Sequence, residues 1–589
     1  MSSEDLQGED LANEPSPLPS AFRNIPAFTG GFLQPLENPV LEGRPSRPGI
    51  ELQVEAADLA RIPAAGPVLV VCNHALGMVD GSLLANLLRR VRPDVKVLSP
   101  FPQVNQLSGQ HIFMKSPRRA LIGSDTLKLE RQGELEALAW LNTGRMLALF
   151  PAESTSHWQF PQAQIADPLW RDLPVRLLRR SRATALPVFL CCQNLSLKLL
   201  ANLHPRFRRP FPLQEWLQQE GHKVEIRVAT EIPAASLAGI ADDREATEYL
   251  RWRTYLLERR GRPEKSWPIV MRSKVSAKVQ KPVALAGEAQ ILSEELSGLA
   301  VDRTLIESGD LVAYLAKAGE VPRLLLELGR LREITFRGAG EGTGKSRDLD
   351  RFDRYYWHIL LWNKSKKELV GAYRAGNTAE ILAERGVKAL YTSTLFRYNA
   401  KVFEKLGPAL ELGRSFVRPE YQRQYAPLLL LWKAVARLLA TQPQIAVVFG
   451  PVSISNDYCK ASREMIYRFF EARMQGDELA GLIAPRKPFR PAGLCPWESR
   501  AMRHWLHDLE ALSQPITDVE IDGKGLPILL RQYARIGGKF LSFNVDRKFS
   551  NALDGFVVVD LRKTEPAVLE RYMGRDAATR FRRQHGLEA

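Results

Sequence analysis

A buried-strand pattern, Val68-Leu69-Val70-Val71, runs into Cys72-Asn73-His74 and then, through Gly77, into Asp80 and a leucine-rich helix pattern over Gly81–Arg90. Apolar β-branched runs of this kind read as strands, and the spacing that follows reads as a helix. A histidine and an aspartate therefore arrive together at a strand end and a helix mouth. There, polar side chains can meet a substrate without being buried unpaired.

Around this stretch strands and helices alternate: Val95–Leu98, a helix over Leu129–Leu141, Met146–Phe150, a strand from Ala185, Val224–Val228 and a closing helix Glu245–Arg259. Such alternation predicts an α/β layer. The Pro-, Glu- and Ser-rich residues 1–48 read as a mobile tail, and breaks such as PEKSWP mark a connector over 263–301. A second α/β unit is expected over 302–589. The fold class is thus α/β in two domains, 49–262 and 302–589.

The formal charge of +16 on 589 residues favours a polyanionic partner: an anionic membrane face, an acidic carrier protein or nucleic acid. Nucleic acid is set aside because no stacking aromatics are interleaved in a recognised module. Five cysteines show neither a C-x-x-C pair nor histidines at zinc spacing, so no metal is expected and the thiols read as reduced. The N-terminus lacks the basic and apolar regions of a secretory signal. The most apolar run, Leu428–Ala440, is interrupted by Lys433 and Arg437 and falls short of the about 20 residues a span needs. A peripheral position on a membrane is the expectation.

In the opening stretch His74 can act as general base toward an acceptor hydroxyl, with Asp80 holding the other ring nitrogen; the bland alternative is a histidine that merely caps a helix. Further on, Phe150-Pro151-Ala152-Glu153-Ser154-Thr155 ends one strand and Ala185-Leu186-Pro187-Val188 begins another. These pieces resemble the glycerolipid/lysophospholipid acyltransferases, with their N-H-x(4)-D, F-P-E-G-T-R and V-P-V segments. The resemblance covers roughly 60–260 and implies acyl transfer from a thioester to a lipid hydroxyl without a metal. It places Asn73, Gly77, Glu153, Ser154 and Thr155 at the substrate, and Lys115 is a further candidate. This chain has five residues between His74 and Asp80 instead of four, which requires a bulge that Gly77 would allow. No arginine follows Thr155, which points to an acceptor without a phosphate there. Nine basic residues between Trp170 and Pro210 form either a solvated face or a membrane-facing patch.

In the second unit, Ala339–Ser346 imitates a phosphate loop but has alanine where the first glycine must stand. Arg332-x-x-x-Phe336, Asp350-x-x-Asp353, Arg374 and Glu411-x-x-Arg414 follow in an order that resembles the acyl-homoserine-lactone synthases and their N-acyltransferase relatives, which share the GNAT fold. The resemblance implies attack by a primary amine on an acyl thioester. Glu411 is then the candidate base or amine anchor, Asp350 and Asp353 would hold a cationic acceptor, Arg374 and Arg414 would fix a carboxylate or the loops, and Arg332 is a further substrate-binding candidate. A structural ion pair between Glu411 and Arg414 is the alternative. The turn Pro419–Ala426 has no glycine for wrapping a coenzyme A pyrophosphate, so acyl carrier protein is the expected donor, with acyl-CoA the other possibility and no tightly bound cofactor.

The two halves together resemble the bifunctional ornithine-lipid synthases and long bacterial hemolysin-like proteins. This implies N-acylation of an amino acid by the C-terminal half and O-acylation of the resulting hydroxyl by the N-terminal half, on the cytoplasmic side of a bacterial inner membrane. Two other readings remain: a lysophospholipid or 1-acylglycerol-3-phosphate acyltransferase with a regulatory or carrier-binding second half, and a non-catalytic peripheral membrane protein.

Overall fold

The computed structural model describes residues 34–36, 50–77, 80–99, 112–113, 124–152, 154–159, 164–192, 222–261, 280–491 and 505–587. The first of its two eight-stranded sheets contains β1 (Gln34–Leu36), β2 (Ile50–Val54), β3 (Val68–Cys72), β4 (Val95–Ser99), β5 (Ile112–Phe113) and β6 (Met146–Leu149). A small ribbon of β7 (His157–Gln159) and β8 (Gln164–Ala166) precedes its last strands, β9 (Thr184–Cys192) and β10 (His222–Val228). The order is β1-β2-β10-β9-β3-β6-β4-β5, and β3 lies inside the sheet, parallel to both β9 and β6.

The uniform apolarity of β3 has a simple cause. Val68 and Val70 share an apolar cluster with Leu84, Leu87 and Leu88 of helix Asp80–Arg89. Leu69 and Val71 belong to the cluster on the other side, with Leu141 of helix Ser124–Asn142 and Leu178 of helix Leu173–Ser181. A parallel strand covered on both faces has no polar side to alternate with. Each such burial contributes about 1.5–3 kcal/mol.

The second sheet runs β11 (Thr304–Ser308), β12 (Leu311–Lys317), β13 (Trp357–Asn363), β14 (Glu368–Asn377), then, after the ribbon strand β15 (Phe396–Tyr398), β16 (Ala409–Val417) and β17 (Val447–Ile454). After β18 (Ile483–Pro485), which pairs with β15, β19 (Lys539–Asp546) and β20 (Ala552–Asp560) complete it in the order β11-β12-β13-β14-β16-β17-β20-β19. Strands β16 and β17 are parallel and pair only from Ala409↔Val447 to Glu411↔Phe449. Beyond that point β16 follows β14 and β17 follows β20, so the sheet opens between them. A register shift opposite Ala372 and Arg374 puts Arg414 in the left-handed region, at φ 49°.

The halves are joined through helix Leu509–Val519, which packs on helix Asp243–Leu256. Arg253 Nη2 donates to Asp518 Oδ2 at 2.6 Å with both side chains fully buried, and the Thr230 amide donates to Asp518 Oδ1 at 2.7 Å. Trp505 packs edge-on against Tyr249, centroids 5.5 Å apart, within an apolar cluster that continues into the second sheet.

The structure departs from the sequence expectations in two places. Gln34–Leu36, inside the expected tail, pairs antiparallel with β2; the remaining residues up to 49 lie outside the described residues. The expected connector contains helix Ala289–Ser297, whose Leu292 and Leu296 are buried in the second unit's core beside Leu328. Amides of the phosphate-loop mimic are occupied by the chain itself: Gly344 N donates to Glu333 Oε1 at 2.8 Å and Thr343 N to Glu333 Oε2 at 3.2 Å.

Candidate active sites

The first site stands at the carboxyl end of β3. Asp80 opens the helix after the turn, and its carboxylate accepts from the amides of Leu76 and Gly77 at 3.0 Å. Its Oδ2 also lies 2.9 Å from His74 Nδ1, with His74 4% exposed and Asp80 fully buried. An acceptor at that distance fixes the proton on Nδ1, which makes Nε2 the basic ring nitrogen. Gly77 carries the extra residue of the loop at φ 86°; a Cβ there would stand 3.3 Å from Thr155 Cγ2. Phe150 packs on the imidazole, centroids 5.2 Å apart.

A second carboxylate, not anticipated from the sequence, holds the histidine's backbone. Asp167 accepts from His74 N at 3.1 Å, from Ser156 Oγ at 2.5 Å and from Trp170 Nε1 at 3.0 Å. Burial raises its pKa, working against these donors. No motif marks Asp167 in the sequence, and β7, β8 and the turn after them bring it back to His74. Asn73 ties β3 to β9 by exchanging two hydrogen bonds with the Leu190 backbone, at 2.7 and 3.2 Å, so its amide serves the scaffold. Ser154 and Thr155 are half-buried beside the loop, while Glu153 and Lys115 lie outside the described residues.

Of the expected basic patch, Arg176 and Arg180 pair with Glu134, and Arg179 pairs with Asp243. Arg171 and Arg176 join Arg131, Arg244 and Arg251 around a cleft of about 590 Å³. This cleft backs onto the first site, since Arg251 Nη2 donates to the Asp167 carbonyl at 2.6 Å. Residues 193–221 lie outside the described residues.

The second site lies where β16 and β17 part. Leu412–Ser415 of one strand and Pro451–Ser453 of the other line a cavity of about 90 Å³, with Glu341, Tyr391 and Tyr533 among its other walls. An apolar hollow of about 50 Å³, walled by Trp432, Val435 and Leu439, shares Leu412 and Tyr533 with it.

The charged residues predicted for this site are largely engaged with one another. Arg332 Nη1 donates to Asp353 Oδ1 at 2.8 Å, and Arg374 Nη1 to Asp350 Oδ1 at 2.7 Å and Asp353 Oδ1 at 3.2 Å. Burial works to raise the pKa of Asp353, yet these two guanidinium groups hold it well below the usual carboxylate range. Both aspartates are neutralised in place and neither lines the cavity, so neither stands where it could hold a cationic acceptor there.

Glu411 does not pair with Arg414. Its carboxylate accepts from Thr392 N at 2.7 Å, from Tyr391 N at 3.2 Å and from the Tyr356 hydroxyl, and it is 1% exposed. Burial raises its pKa against those donors. Arg414 instead sits 3.1 Å from Asp348 and donates from Nη1 to Tyr391 Oη at 3.1 Å. Tyr391 is thereby held between the guanidinium groups of Arg374 and Arg414, 4.8 and 5.1 Å from its ring centre. Glu411 anchors the turn, Tyr391 carries that order to the cavity wall, and Arg414 reaches the cavity directly.

Three carboxyl groups near this cavity escaped the sequence reading. Glu341 lines it, and Asp554 accepts from the cavity-lining Ser453 Oγ at 2.7 Å. Asp457 approaches the same loop, as a Cβ on Gly340 would stand 2.5 Å from its Oδ1. Burial pushes Glu341 up to about 7, helped by Asp457, and pushes Asp554 up to about 8. The glycines around Glu341 read as the failed phosphate loop, which hid it.

Residues 331–433 fit the acetyltransferase (GNAT) domain, so the second unit carries an acyltransferase domain of that type. Among curated proteins, the chain is 34% identical over 186 residues to the glycine N(alpha)-acyltransferase of Bacteroides thetaiotaomicron, covering 30% of this chain and 55% of that one. It is 23% identical to the L-ornithine N(alpha)-acyltransferase of Brucella abortus over 47% of this chain and 97% of that one. The 1-acyl-sn-glycerophosphate acyltransferase structure from Thermotoga maritima covers 36% of this chain and 74% of its own, at 18% identity and a TM-score of 0.24, which is too loose to bear on function.

Proposed function

We propose that the chain makes a phosphorus-free aminolipid by two acyl transfers. The C-terminal half N-acylates an amino acid with a 3-hydroxyacyl thioester, and the N-terminal half O-acylates the hydroxyl so delivered. The observation that carries the reading is the His74–Asp80 pair at 2.9 Å, held at a strand end in a chain whose other half carries a GNAT domain match over residues 331–433. In the O-transfer, Nε2 of His74 takes the acceptor's hydroxyl proton and Asp80 stabilises the imidazolium, a step worth roughly 10² to 10⁴ in rate.

For the N-transfer, the opening between β16 and β17 gives an amine access to a thioester carbonyl, and the adjoining apolar hollow suits the start of an acyl chain. Glycine and ornithine, the acceptors named for the relatives, are the first to try. Acyl carrier protein is the proposed donor, its acidity matching the net charge of +16. The site of action is the cytoplasmic face of the inner membrane; no helix among the described residues is long and apolar enough to cross it.

Expression in a host without aminolipids, followed by lipid mass spectrometry, tests the reading. A new species with an amino-acid head group, two acyl chains and no phosphorus is expected. A change confined to glycerophospholipids would refute it in favour of a lysophospholipid acyltransferase.

A further inference from the structure

We propose that Glu341 is the base that takes the proton from the acceptor's ammonium in the second site, and that Glu411 is a positioning residue. The inference rests on the N-acyl-transfer reading and deepens it. An amino acid arrives as an ammonium, which has no lone pair to attack with, so a proton acceptor must face the cavity.

Glu411 meets that need poorly. It does not line the cavity, and three donors already converge on its two oxygens. Glu341 meets it well. It is 9% exposed, its residue lines the cavity, and among the described residues its carboxylate has neither a hydrogen-bond donor nor an ion-pair partner. A carboxylate buried to that extent without a cation of its own is costly, and an incoming ammonium supplies the missing partner.

The loop that carries Glu341 is fixed from both ends. Its amide donates to the Phe336 carbonyl at 2.7 Å, closing helix Pro322–Gly338. Gly340 before it takes φ 71° where a Cβ would collide with Asp457. The charged and titratable groups around it are Asp457, Arg414 of the bulged strand, and Asp554 beyond Ser453, with Tyr373, Tyr391 and Tyr533 also in the cavity wall. Burial first and Asp457 second raise its proton affinity, while Arg414 opposes them, leaving it near 7. A base matched to the working pH both accepts and returns its proton readily.

The step balances. Glu341 takes one proton from the ammonium, and the freed lone pair forms the C–N bond at the thioester carbonyl carbon. The C–S bond breaks with its electron pair going to sulfur, which receives the second proton from nitrogen. Glu341 then returns its own proton to solvent, giving an amide and a free thiol.

The test uses the full-length purified protein with glycine or L-ornithine as acceptor and 3-hydroxyacyl-CoA or 3-hydroxyacyl carrier protein as donor. Initial rates are measured from pH 6 to 9. In the wild type, activity should rise through about pH 7 as Glu341 loses its proton. Glu341→Gln should cut the rate at pH 7 by roughly 10² to 10⁴, leave KM for the thioester unchanged, and regain rate with pH as the acceptor's own free amine grows. Glu341→Asp should restore part of the rate, and it keeps the question open to experiment if the glutamine variant does not fold. Glu411→Gln should lower the melting temperature and leave the shape of the pH profile intact.

A Glu341→Gln protein that folds and keeps the wild-type rate and profile would overturn the inference while the N-acyl-transfer reading stood. So would an equal loss at every pH up to 9. A wild type that N-acylates neither acceptor from either donor would overturn that reading and the inference with it.

Discussion

The Asp518→Ala substitution tests whether the two halves are one mechanical unit. Asp518 is fully buried and takes a 2.6 Å bond from Arg253 and a 2.7 Å bond from the Thr230 amide, both across the junction. Removing it leaves a guanidinium with no exposure and no counter-charge, which costs about 3–5 kcal/mol. For a joined unit of roughly 500 residues, with about 2.1 cal/mol/K of unfolding entropy per residue, each kcal/mol lowers the melting point by about 1 °C, so a fall of roughly 3–5 °C is expected. Calorimetry on the single variant is the assay. The Arg253→Met/Asp518→Leu pair is the control, because replacing both partners with apolar groups recovers most of the loss. A single variant melting within about 2 °C of wild type would refute the claim that this pair braces the halves.

Two further outcomes follow from the sites. Asp80→Asn puts an amide beside Nδ1 and favours the tautomer whose Nε2 already carries a proton, so O-acyl transfer should fall by roughly 10⁴ with N-acyl transfer unchanged; separate assays of the two steps check this. Asp554 has its folded pKa raised from 3.8 to about 8, so the folded state keeps a proton that the unfolded chain releases. The resulting stability is fully present below about pH 4 and lost as pH rises through about 8. Melting temperature should therefore fall from pH 5 to pH 9, and less steeply in Asp554→Asn.

What the sequence disclosed follows from range. β3, the helix opened by Asp80 and the acyltransferase domain of the second half are written in local periodicity and short motifs, and the His74–Asp80 pair needed only one turn of chain to form. Asp167 was illegible because it reaches His74 across 93 residues with no periodic signal of its own. The aspartates and arginines of the second half look like substrate contacts in the sequence, since a sequence shows charges without their partners. Arg332 and Arg374 neutralise Asp350 and Asp353 in the folded chain. Glu341 was hidden by a glycine-rich setting that imitates a nucleotide loop, and the helices from Leu509 onward gave no motif to anchor a reading.

Lipid extracts from cells expressing His74→Ala test the two-step account most directly. The account predicts that the doubly acylated aminolipid disappears and its N-acylated, singly acylated precursor accumulates. An unchanged level of the doubly acylated lipid would contradict it.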